Sequence, residues 1–149
     1  MAFYRRFLGM ISVSTAVMLG LMYFNTSSLG HIHWSETRFY MAMLMGAAMS
    51  VVMLAFMWKM ARNTRINLAI LVSAGIVFFS SLALVRSQVT IDDVSWMKAM
   101  IPHHSIAILT SERAHLSDPR VQKLANDIAE TQRREIAEME DLIRDLESR

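Results

Sequence analysis

The stretch from Trp96 to His115, WMKAMIPHHSIAILTSERAH, holds three of the chain's five histidines, with Met97 and Met100 on the same segment. Imidazole with thioether is a ligand set for copper, above all copper(I), which prefers soft donors; a carboxylate shifts the preference toward copper(II) or harder ions. The chain has no cysteine, so methionine is its only soft donor and neither a disulfide nor a thiolate site is open to it. Thioethers also survive an oxidising compartment more readily than free thiols.

On a helix turning about 100° per residue, Met97 and His115 fall about 20° from His104, and Met100 about 40° away on the other side. A second helix follows after the turn LSDP. Folding it back near residue 117 or 118 sets Met100 level with Glu135, His104 with Thr131 or Gln132, and Met97 with Met139. The expected metal ligands are therefore His103 and His104, then Met97, Met100 and Met139, with Gln132 or Glu135 orienting an imidazole. The same pattern also fits a small core filled by methionines beside histidines that bond a bent backbone. His31, His33 and His115 are further metal candidates, although His31 and His33 also suit an interfacial position beside Trp34. Glu112 and His115 form an E-x-x-H pair of the di-iron type, but the turn sets them level with Lys123 and no carboxylate. A solvated helix end is expected there. No phosphate-binding loop, serine nucleophile elbow or zinc-protease motif occurs, so neither an enzyme nor an organic cofactor is expected.

The elements that carry these residues divide the chain in two. Phe7 to Phe24, Phe39 to Trp58 and Ile66 to Val85 are runs of 18, 20 and 20 residues without a charge, close to the roughly 20 residues that cross a bilayer core. They predict three transmembrane helices, the second bracketed by Trp34 and Trp58. Its Met41, Met45, Met49, Met53 and Met57 drift about 40° per step, which fits lipid or helix contact better than a metal track. Arg5, Arg6, Lys59, Arg62 and Arg65 flank one side, against Arg38 and Arg86 on the other. Cations are retained on the cytoplasmic side, so the amino terminus is expected inside and both the loop from Asn25 to Arg38 and the carboxy-terminal segment outside. The first run is too long, and lacks the small-residue cleavage pattern, for a simple signal segment. Residues 1 to 85 carry six Lys or Arg and one acid, whereas residues 86 to 149 carry nine against twelve. The soluble part is thus slightly acidic, which excludes nucleic acid as its partner.

In that part, Asp92 and Asp93 open a helix expected to reach Leu116, with Pro102 bending or restarting it. Ser117 or Asp118 caps a second helix, Arg120 to Leu146, with Pro119 at its first position. Its expected apolar stripe is Leu124, Ile128, Ile136, Met139 and Ile143, beside ion pairs such as Glu140 with Arg144. A lone hairpin buries little, so a homo-oligomer or a partner membrane protein is expected to cover it.

From Asp92 to Leu146 the chain resembles the domain of unknown function 305 family. The resemblance is carried by MIPHH at Met100 to His104, by Ala107 and Ile108, by the turn Asp118-Pro119, and by LANDIAETQRREIAEM with Gln132, Glu135, Ile136 and Met139. It departs from the family where Ser105, Leu109 and Thr110 stand in place of a Gln and an Asp-Met pair. The resemblance implies a ferritin-like helical half-bundle of a bacterial envelope, with an association with copper binding and resistance.

The expectation is an all-α membrane protein. Residues 1–86 form three transmembrane helices and 87–149 an antiparallel hairpin in the periplasm, anchored by the lipid bilayer of a bacterial inner membrane. Its expected role is copper handling through a His/Met site. The alternative is an assembly subunit whose hairpin docks on a membrane complex.

Overall fold

The computed structural model describes residues 2–24 and 26–148. Met1 and Arg149, the ends of the two expected domains, and Asn25, the start of the expected outer loop, lie outside the described residues. Those residues form five α-helices and one short 3-10 helix, with no strand among them: α1 (Ala2–Leu21), the 3-10 helix (Leu29–His31), α2 (Glu36–Phe56), α3 (Thr64–Ser87), α4 (Asp93–Arg113) and α5 (Pro119–Glu147). Among them, α2 and α3 are long and apolar enough to cross a membrane. The chain divides into two compact units. The first holds α1 with the residues from Thr37 to Thr90; the second holds the segment from Met22 to Glu36 together with the chain from Ile91 onward.

In the first unit, Phe7 of α1, Leu54 of α2, Ala61 of the α2–α3 turn and Ile70 of α3 form a buried cluster, against which Met53 and Met57 pack. Those two methionines make helix contacts. Gly46 lies so close to α1 that a methyl group there would overlap the Thr15 hydroxyl, whereas nothing stands near Gly20 or Gly75. A small residue at such a crossing lets the two backbones approach closely. Asn63 caps α3 by accepting the N–H groups of Arg65 and Ile66. The Tyr4 hydroxyl takes the Asn63 N–H at 3.0 Å and donates to Asn67 Oδ1 at 2.8 Å, and Asn67 Nδ2 donates to the Ala61 carbonyl at 2.8 Å. The buried Asn67 amide thereby ties the start of α1 and the end of the turn to α3.

The second unit is built on the α4–α5 hairpin. Asp92 caps α4 by accepting the Ser95 N–H, and Asp118 caps α5 by accepting that of Arg120, with Pro119 at the first position. The Ser95 N–H holds the Asp92 carboxyl below the usual range, and the Arg120 guanidinium, followed by its N–H, does the same for Asp118, because these bonds favour the charged form. Helix α4 runs through the buried Pro102 without a restart and ends at Arg113, three residues before the expected Leu116. Ala114, with ψ 130, leaves the helix in extended form. An extended link covers about twice the length per residue of a helix, so it carries the chain past the end of α4 before α5 turns back. The register therefore slides by about one turn, and Glu135 stands at His104 rather than at Met100.

Met97, Ile101 and Ile108 of α4 pack against Ile136, Met139 and Ile143 of α5. Toward its start α5 meets α4 through Ala125 and Ala129, and Leu124 and Ile128, expected in this stripe, are instead exposed. Arg144 pairs with Asp141, not with Glu140. On another face of α4, the segment from Met22 to Glu36 forms a strap. The fully buried Ser105 Oγ accepts the Ser27 N–H at 2.7 Å and stands 2.8 Å from Ser27 Oγ and 2.9 Å from His31 Nδ1. The Ser35 N–H donates to the Tyr23 hydroxyl within the strap.

Candidate functional site

The two adjacent histidines of α4 differ because neighbouring side chains on a helix diverge by about 100°. His103 is exposed; His104 turns inward, with only 15% of its side chain accessible. Its Nδ1 is closed from solvent and makes no hydrogen bond, while Glu135 Oε2 of α5 lies 3.3 Å away. The Gln132 amide donates to that same carboxylate oxygen at 3.1 Å, steadying Glu135 one turn along α5. Burial pushes the His104 pKa below its ordinary value; the Glu135 charge opposes that shift and His103 adds to it. Burial thus favours the neutral imidazole.

The 3.3 Å separation has a geometric meaning. Two donors bound to one ion at about 2.0 Å with a tetrahedral angle between them stand about 3.3 Å apart. His104 Nδ1 and Glu135 Oε2 are spaced as two ligands of one cation and are poorly aligned as donor and acceptor. Among the described residues no group of three His, Cys, Asp or Glu side chains is placed to hold a metal ion, so one chain offers this pair of nitrogen and oxygen donors.

The other expected site residues are distributed as follows. Met97 and Met139 sit in the apolar cluster, 5% and 7% exposed, with Met100 half-buried against it, so all three thioethers belong to the hairpin core. His115 is exposed at the start of the interhelix connection beside a shallow polar recess with Glu112 and Gln122, and Glu112 pairs with Arg133. His31 is engaged by Ser105. His33 Nε2 is closed off without a partner, as is Glu36 Oε2 at the start of α2.

Two features escaped the sequence reading. Ser105 appears there only as a departure from a pattern, because a small hydroxyl carries no signal until the strap crosses it. Glu36 had a legible signal, being the single acid among the first 85 residues.

Comparison with known proteins places residues 83–149 in a match to the family described as Domain of unknown function (DUF305). The chain is also 33% identical over 135 residues to an uncharacterized protein of Acanthamoeba polyphaga mimivirus, covering 89% of this chain and 87% of that relative. That likeness extends well beyond residues 83–149. No solved structure matches the chain.

Proposed function

Because this chain belongs to the DUF305 family, we propose that it is a membrane-anchored metal-binding protein that handles copper outside the cytoplasm through its α4–α5 hairpin. The observation that carries this reading is the sealed, unbonded Nδ1 of His104 beside Glu135. Burying a polar atom without a partner costs roughly 1–3 kcal/mol, a cost that a bound cation would offset. His104 and Glu135 are the proposed ligands, with Gln132 fixing the carboxylate and His103 at the open rim. Met100 is the least buried thioether of the hairpin core, in which Met97 and Met139 are enclosed.

The anchor is α1 together with α2 and α3, read as three crossings of a bacterial inner membrane. Outward-facing Leu8, Val13 and Val17 of α1 suit a lipid environment. Arg5, Arg6, Lys59, Arg62 and Arg65 favour a cytoplasmic amino terminus, which puts the hairpin in the periplasm.

Titration of the full chain in detergent micelles with copper(I) and copper(II) tests the reading. Replacing His104 by alanine, or Glu135→Gln, is expected to weaken binding at least tenfold. Undiminished binding by a His103→Ala/His104→Ala double variant would end the assignment.

A second reading, an assembly subunit that docks by its hairpin, is favoured by the exposed apolar residues of α5. It expects copurification with a larger complex and no bound metal, which elemental analysis of the native protein separates from the first.

A further inference from the structure

Helix α5 has two apolar seams. One, Ala125, Ala129, Ile136, Met139 and Ile143, is buried against α4. The other, Val121, Leu124, Ile128, Leu142 and Leu146, lies about 80° around the helix and is open, Leu124 at 58% and Leu142 at 47% exposure. Two seams nearly a right angle apart belong to a helix with two helical neighbours, as at the corner of a bundle. Within the second unit α4 is already covered by α5 on one face and by the strap on another. The open seam is therefore the place for a further helix.

The charge along α5 says which helix. Pro119 to Arg134 carries four cations and two anions, whereas Glu135 to Glu147 carries six anions and one cation. A second α5 laid parallel would set like halves together; laid antiparallel it sets each basic half against an acidic one. The outer parts of the open seam match each other in that arrangement too, while Ile128 falls opposite Glu138. A two-fold axis crossing α5 at its middle residue, Arg133, puts Leu124 opposite Leu142 and Val121 opposite Leu146 within one residue. The polar break in the seam, Thr131 and Glu135, then falls at the axis.

We infer that a second copy of this chain packs antiparallel on this seam, and that the two chains share a cation site at their two-fold axis, built from His104 and Glu135 of each. The inference rests on the preceding reading of His104 and Glu135 as ligands. The two Glu135 backbones would be offset along the axis by only about 6 Å. Their carboxylates, brought together at a drying interface, repel unless a cation lies between them. Two donors per chain become four, the number a tetrahedral site needs.

The absence of cysteine makes the test clean. Full-length Leu124→Cys and Leu142→Cys variants, in micelles and carrying tags of different size, are treated with a short bismaleimide. Linking of Leu124→Cys to Leu142→Cys, with no linking of either to itself, is the expected result. Self-linking, or a monomer throughout the concentration range, overturns the inference. Copper is expected to bind at one ion per two chains and to tighten the dimer at least tenfold, an effect abolished by Glu135→Gln while the cross-link persists. One copper on each monomeric chain would leave His104 a ligand and overturn the shared site. An antiparallel dimer indifferent to copper overturns it as well, and if that dimer binds no copper the preceding reading falls with it.

Discussion

Asn67 in the first unit and His104 in the second are both polar side chains held against apolar surroundings, and they are treated in opposite ways. Asn67, 2% exposed, gives its N–H to Ala61 and takes the Tyr4 hydroxyl. His104 has its Nδ1 sealed and unbonded. Among the described residues, three buried side-chain atoms lack a partner, and all three, on His33, Glu36 and His104, lie in the second unit. The buried amide of the first unit is closed from within by its own neighbours. The hairpin leaves a nitrogen open, which stability alone does not explain, because the open group costs free energy. Closure marks a structural polar group; on the proposed reading, the open nitrogen of His104 is a ligand.

That contrast can be broken by substitution. The largest effect is expected for Asn67→Ala. It strips the donor from the Ala61 carbonyl and the acceptor from Tyr4, and should lower unfolding stability by about 3 kcal/mol in micelles, read by the loss of helical circular dichroism. If the change is under about 1 kcal/mol, closure in the first unit is not structural. Gly46→Ala should follow at about 2 kcal/mol, since the added methyl meets Thr15 in a tight crossing. Adding Thr15→Ala should restore most of that loss; no recovery would mean that another neighbour sets the distance.

The smallest stability effect sharpens the other side of the comparison. His104→Gln should change unfolding stability at pH 8 by less than about 1 kcal/mol, because a neutral, unbonded ring gives way to another neutral group. The pH dependence carries the sign. Burial lowers the folded His104 pKa below the ordinary 6.5, so the unfolded chain takes up the proton first as pH falls. The stability tied to His104 is complete above about 6.5 and is lost as pH falls through the lowered folded value. Thermal unfolding scanned from pH 8 to pH 5 should show that decline in the parent and a flatter profile in His104→Gln. Parallel profiles would remove His104 as the titrating group.

Much of the architecture was legible in one dimension. Runs without charge announce apolar helices, and Asp92, Asp118 and Pro119 announce where α4 and α5 begin, because caps and fixed φ act within a few residues. His104 was legible as a candidate through its MIPHH setting, and Glu135 through its spacing. Their partnership was legible only approximately, since a reflected register depends on where α4 stops, and Ala114 leaves the helix earlier than the periodicity indicates. Of the expected α5 stripe, Ile136, Met139 and Ile143 face α4, whereas Leu124 and Ile128 lie on the open seam. Leu124 and Ile128 are as apolar as Ile136, but the helix meets α4 through Ala125 and Ala129, whose small side chains allow closer approach.

By itself, then, the sequence determines what local chemistry determines: helical content, caps, charge asymmetry, the absence of thiols and the stretch in which histidines and methionines gather. Tertiary structure decides which of these side chains meet. It turned His104 inward and His103 outward, brought Glu135 within 3.3 Å of one imidazole, and folded the strap so that Ser105 engages His31. The reason is physical: spacing sets angles around one helix, whereas a distance between two helices depends on every residue of the link that joins them.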